Sequence, residues 1–120
     1  MMPERRSYFD LIAWQKAMEL VAEIYRVTKN WPKEEAFGLT SQLRRAAVSI
    51  PSNVAEGHGR TGPKEFVHHL SIAHGSLCEA ETQLLIARQL EYIDDAVLER
   101  LLQQTSEVGR LTQGLIRSLR

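Results

Sequence analysis

The sequence predicts an all-α fold, an antiparallel up-down-up-down four-helix bundle formed as one domain over residues 1–120. Three observations carry this expectation. Apolar residues recur at steps of three and four in four successive stretches, the period of one helix face. Proline, glycine and aspartate mark the breaks between them, and short connections place neighbouring helices antiparallel. No stretch alternates apolar and polar residues as a half-buried strand does. A chain of 120 residues is long enough for one core and too short for two.

The helices are expected at about residues 10–30, 35–57, 63–90 and 94–119. Residues 1–9 read as a short tail, with Tyr8 and Phe9 packing where helix 1 begins. Asp10 suits the N-cap, because its carboxylate accepts from an orphan N–H one turn on. Leu11, Trp14, Met18, Val21, Tyr25 and Thr28 then make the buried face, and Lys16, Glu19, Glu23 and Arg26 the solvated one. Asn30-Trp31-Pro32 stops the helix, since a residue before proline is pushed out of the α region. Helix 2 starts near Glu34 or Glu35 and runs to about Glu56. Pro51 lacks an N–H and crowds the carbonyl of Ala47, so a kink is expected there. Gly57-His58-Gly59 closes the helix, with glycine free to turn left-handed. Pro63 fits the first turn of helix 3, whose row Phe66, Leu70, Ala73, Leu77, Ala80, Leu84 and Ala87 steps four-three throughout. Asp94 or Asp95 caps helix 4, with Leu98, Leu101, Thr105, Val108, Thr112, Leu115 and Leu119 on its inner face. Leu102, Leu111 and Ile116 widen that apolar arc to about half the helix.

Composition excludes several function classes. Hydrophobic residues at 43% and charged residues at 25% are those of an ordinary globular protein. Fifteen basic and fifteen acidic residues cancel, and the pI is near 6.9. That balance lacks the clustered positive charge of a generic nucleic-acid or anionic-membrane binder. One cysteine, Cys78, forms no internal disulfide and suits a reducing compartment. No run approaches the ~20 apolar residues of a membrane span, and no signal-peptide pattern follows MMPERR. The expected location is cytoplasmic.

Candidate chemistry is thin, and no catalytic residue, cofactor or metal is expected. His74 and Cys78 share a helix face at i,i+4, with Glu81 one turn further, but structural zinc needs four ligands and no second cluster is evident. The expectation there is a buried thiol beside a partly exposed histidine. Glu65 and His68 make one Glu-x-x-His pair, which di-iron bundles use twice; the second is missing. His68 and His69 read as surface residues on different sides. Ser49, Ser52 and Thr61 have no histidine and carboxylate at readable spacing, so nucleophilic catalysis has no support. Gly57-His58-Gly59-Arg60-Thr61-Gly62 precedes a helix but lacks the Lys-Ser/Thr ending of a phosphate loop, and reads as an interhelical turn.

The distinctive feature is a polar row on helix 2: Gln42, Arg45, Ser49, Asn53 and Glu56, at helical spacing beside the apolar row. It mixes amides, a hydroxyl and two opposite charges. Arg45 and Glu56 stand eleven residues apart, about 16 Å along a helix, and cannot pair within it. A neighbouring copy brings Glu56 to Arg45 if helix 2 is a subunit interface. Pro51, by aiming Asn53 and Glu56, and the surplus apolar residues Ile72 and Ile86 on the far side of helix 3 join the same expected interface.

Several motifs carry a family resemblance. Phe9-Asp10-Leu11 with Trp14-Gln15-Lys16-Ala17, Phe37-Gly38-Leu39, Gln42-Leu43-Arg44-Arg45-Ala46, Ser49-Ile50-Pro51-Ser52-Asn53-Val54-Ala55-Glu56-Gly57 and Gly59-Arg60 closely resemble the four-helix-bundle proteins of the rRNA intervening-sequence family. The similarity continues through Glu65-Phe66, Ile72-Ala73, Gly75-Ser76-Leu77, Glu79 and Gln83 to Tyr92-Ile93. Glu91 stands where relatives tend to have glycine. The resemblance implies a homopentameric ring, and the surplus apolar surface with the polar row of helix 2 gives the expectation of a non-enzymatic, homo-oligomeric scaffold or adaptor. A related branch accompanies the reverse transcriptases of diversity-generating retroelements and binds nucleic acid through a strongly basic surface. This implies the alternative of a nucleic-acid-binding accessory protein, acting on RNA or with a polymerase, with Arg44, Arg45 and Arg60 as contacts. The charge of this chain is balanced, unlike that branch.

Overall fold

A computed structural model describes residues 7–120; the first six residues of the expected tail lie outside the described residues. Its elements are α1 (Ile12–Thr28), α2 (Leu39–His58), α3 (Pro63–Gln89) and α4 (Asp95–Leu119), with single 3-10 turns at Tyr8–Asp10 and Lys33–Glu35. The all-α class predicted from the apolar periods is the fold observed. Each helix packs on its two neighbours, α1 with α2 and α4, α3 with α2 and α4, while the diagonal pairs make no approach. Cross-helix partners fix the directions. Asn53 meets His69, Ser49 meets Ser76 and Gln42 meets Gln83, so α2 and α3 run antiparallel. Thr105 donates to Glu81, and Arg100 near the start of α4 reaches Glu23 near the end of α1.

The core follows from small and large residues alternating along α3. Leu70, Ala73, Leu77, Ala80, Leu84 and Ala87 are all buried, against Leu43, Ala47, Ile50 and Val54 of α2, with Leu101, Val108 and Ile116 from α4 in the same cluster. Asp94 caps α4, its carboxylate accepting from Val97 N–H at 2.9 Å, and Pro63 takes the first position of α3.

Several local expectations are corrected. The deepest row of α1 is Ala13, Ala17, Leu20, Ile24 and Thr28, whereas Met18 and Tyr25 are exposed. Small alanines let α1 sit close to the bundle axis, so the larger row turns toward the α2 flank. Asp10 lies in the 3-10 turn and does not cap α1, which starts after Leu11 without a side-chain cap. Helix 2 begins at Leu39 rather than near residue 35. Pro32 and the 3-10 turn occupy the intervening chain, and Glu35 Oε1 reaches forward to accept from Leu39 N–H at 3.0 Å. α2 continues through Pro51 as one helix. Gly57 does not turn left-handed; it is buried inside α2, and the left-handed glycine is Gly62 at φ 94°. Cys78 is exposed rather than buried, while His74 is partly exposed as expected.

Candidate subunit interface

The polar row of α2 divides between an internal seam and an open groove. Ser49 and Asn53 are half-buried and face α3. Ser49 Oγ is hydrogen-bonded to Ser76 Oγ at 2.8 Å. Asn53 Nδ2 donates to Ser49 O at 2.9 Å and to its Oγ at 3.0 Å, which leaves Oδ1 to accept from His69 Nδ1 at 3.2 Å. One turn from the start of α2, Gln83 is buried and its Nε2 donates to Gln42 Oε1 at 3.5 Å, while Gln83 Oε1 has no partner among the described residues. His69, Ser76 and Gln83 stand seven apart on α3, and that heptad spacing was the signal in the sequence that α2's row had a counterpart within the chain.

Outside this seam lies a groove of about 410 Å³ lined by Gln42, Arg45, Ala46, Ser49, Ser76 and Glu79. Arg45 and Glu79 are exposed, and neither has an ion pair among the described residues. Ile72 and Ile86, 40% and 38% exposed, stand one heptad to either side of Glu79 along α3. Glu56, expected to reach Arg45 of another copy, instead pairs within its own chain. Its Oε2 accepts from Arg60 at 2.8 Å, which holds the Glu56 carboxyl below the ordinary carboxylate range and raises the Arg60 guanidinium. Arg44 is also engaged internally: it donates to Thr28 Oγ1 at 2.8 Å and lies 4.4 Å over the Tyr25 ring. Of the three arginines expected as nucleic-acid contacts, Arg45 alone lacks a partner among the described residues.

Pro51 lies away from the polar row. It is buried on the α1 flank, in the floor of a second groove of about 350 Å³ lined by Tyr8, Trp14, Met18, Val21, Val48, Pro51, Ser52 and Ala55. Phe9 stacks on Trp14 at 5.1 Å and Tyr8 meets the same ring edge-on at 5.3 Å, closing one end. This is the apolar row of α1 that the alanines displaced. Thus α2 has a charged groove on its α3 side and an uncharged one on its α1 side.

Among the described residues no other region converges on chemistry. A depression of about 740 Å³ runs along α4 from Asp95 to Arg110 and is a flank of that one helix. Among the described residues no group of three or more His, Cys, Asp or Glu is placed to hold a metal ion. No helix of the described residues is long and apolar enough to cross a membrane.

Fold and surface together define a small four-helix-bundle protein whose notable features are grooves on either side of one helix. The chain belongs to the family described as 23S rRNA-intervening sequence protein, whose profile matches residues 9–114. It is similar to a crystal structure of a protein with unknown function from the S23 ribosomal protein family of Bacteroides thetaiotaomicron, with a TM-score of 0.79 and 24% identity over 88% of this chain and 98% of that one. At that identity the likeness shows the fold. No functionally curated protein matches the chain. Neither the family's description nor the neighbour's names a reaction.

Proposed function

We propose that this protein is a non-enzymatic, cytosolic, homo-oligomeric scaffold or adaptor, assembled through the outer surface of α2 into a five-subunit ring. The observation that carries it is the bracket of large, half-exposed apolar side chains around α2: Met18 and Val48 on one flank, Ile72 and Ile86 on the other, at 38–45% exposure. Covering such residues releases ordered water, and an apolar patch rimmed by polar groups is the usual mark of a protein contact. Arg45 and Glu79 between them supply opposite charges for register. The number five rests on the family resemblance, and the location on the single cysteine. The test is light scattering of the purified chain beside the Ile72→Asp/Ile86→Asp double variant. The parent is expected at a multiple of 13.7 kDa and the double variant as a folded monomer. A parent that runs as a monomer at micromolar concentration ends this reading.

A second reading, a nucleic-acid-binding accessory, is favoured by the exposed Arg60, Lys64 and Arg117, which the antiparallel topology gathers at one end of the bundle. Gel shifts with RNA and DNA test it. Retention must weaken steeply with added salt, and no retention at low salt disposes of it.

A further inference from the structure

We propose that Phe37 of one copy docks into the uncharged groove between α1 and α2 of the next, so that the subunit contact is head-to-tail. This rests on the homo-oligomer reading above and adds to it the anchor, its receptor and the symmetry of the contact. Phe37 is 100% exposed, the most exposed large apolar side chain among the described residues. It does not sit on a loose loop. The turn that carries it is held at both ends by Glu35, whose Oε1 accepts from Leu39 N–H at 3.0 Å and whose Oε2 accepts from Tyr92 OH at 2.8 Å. Gly38 N–H closes the turn onto Glu35 O at 2.9 Å. A pre-positioned aromatic loses little freedom on docking, which is why such residues act as binding anchors.

The receptor is chosen by chemistry. The α2/α3 groove has Arg45 and Glu79 on its walls, the α1/α4 groove has Asp10 and Arg110, and the depression along α4 has Asp95 and Glu99. The α1/α2 groove has no charged wall. Its surface is mainly aromatic and aliphatic, from Tyr8, Trp14, Met18, Val48 and Pro51, with Ser52 the one hydroxyl besides that of Tyr8, around a space of about 350 Å³ that admits one phenyl ring. Pro51 therefore acts as the floor of a receptor. Phe37 cannot reach the groove of its own chain. The turn lies before Leu39, and Pro51 is twelve residues further along α2, about 18 Å away. The pairing is satisfied only between copies. An anchor and a receptor on different parts of the surface make a heterologous contact, which closes into a ring when the rotation between successive copies closes.

The experiment uses two variants of the full chain, Phe37→Ala and Val48→Glu, followed by sedimentation velocity. Both positions are exposed, so each protomer is expected to keep the parent's circular dichroism. Each variant alone is expected to associate roughly 30-fold or more weakly than the parent, the effect of losing an interface anchor. The equimolar mixture is diagnostic. Phe37→Ala keeps an intact groove and Val48→Glu an intact anchor, so one junction forms and a heterodimer of twice the chain mass appears but does not grow. An oligomeric parent whose Phe37→Ala variant assembles unchanged overturns the docking while leaving the scaffold reading intact, and assigns the groove to another occupant. Two dissociated variants whose mixture gives no heterodimer overturn it equally. A monomeric parent removes both proposals.

Discussion

Replacing Gly57 by alanine tests how closely α2 and α3 approach at the seam. A Cβ built at Gly57 lies 2.6 Å from His69 Cβ and 3.0 Å from Phe66 Cδ1, against about 3.5–4.0 Å for ordinary carbon contacts. The His69 Cβ is fixed to the backbone and cannot swing aside, so the two helices must part by about 1 Å. Overpacking of this kind costs roughly 1–3 kcal/mol. Parting the helices also stretches the 3.2 Å Asn53–His69 hydrogen bond, worth about 1 kcal/mol. Alanine returns about 1 kcal/mol as the better helix former. The balance is a loss of about 2 kcal/mol, which for a domain of this size lowers Tm by about 8 °C. Thermal melts by circular dichroism at one fixed protein concentration measure it. Gly59→Ala is the control, because a Cβ there meets only carbonyl oxygens at 3.6 Å and the backbone is already right-handed. That variant is expected to match or exceed the parent. An unchanged or raised Tm in Gly57→Ala refutes the close approach and returns Gly57 to the role of a helix terminator.

Asn53→Ala removes three hydrogen bonds of the α2/α3 seam and leaves the Ser49 hydroxyl and His69 with fewer partners. A loss of about 1–2 kcal/mol in urea unfolding is expected, with the m-value unchanged. Pro51→Ala is expected to keep the full helical signal, since alanine is the better helix former, and to lower association strength in ultracentrifugation by reshaping the groove floor. The turn carrying Phe37 has a defined pH window. The Leu39 N–H, then the Tyr92 hydroxyl, hold the Glu35 carboxyl below 4.5, so its contribution is present above that value and lost as pH falls through the folded-state value. The bond to Glu35 raises the Tyr92 hydroxyl above 10, so its contribution is complete below 10 and lost as pH rises through the folded-state value. Tyr92→Phe is expected to shrink the acid loss, because the folded-state Glu35 carboxyl moves back toward 4.5, and to remove the alkaline loss that Tyr92 contributes, read from pH-dependent melts.

What was legible in the sequence is the class and the rows where large apolar residues do the packing. α3 is the clear case, because its leucines and alanines alternate along one face and all are buried. The α1 face was read one flank away from the true one. Ala13 and Ala17 add little to an apolar pattern, yet their small size lets α1 approach the bundle axis, and Met18 is displaced outward. The start of α2 was misplaced because Glu34 and Glu35 look like a first turn, whereas Glu35 instead caps Leu39 from a separate 3-10 turn. On α2, the polar row was visible but its partners were not. Whether Ser49 faces Ser76 or another subunit depends on helix rotation, which periodicity fixes only coarsely. Glu56 was assigned a distant partner although Arg60, four residues on, stood within helical reach. Nothing local marks Phe37 as exposed: only the fold shows that its turn points it into solvent.

Native mass spectrometry of the untagged chain, at micromolar concentration and near-physiological ionic strength, counts the copies that assemble and so tests the proposed ring directly. A single dominant assembly of five chains, about 68 kDa from protomers of 13.7 kDa, is the predicted result. A spectrum containing only the 13.7 kDa chain contradicts it.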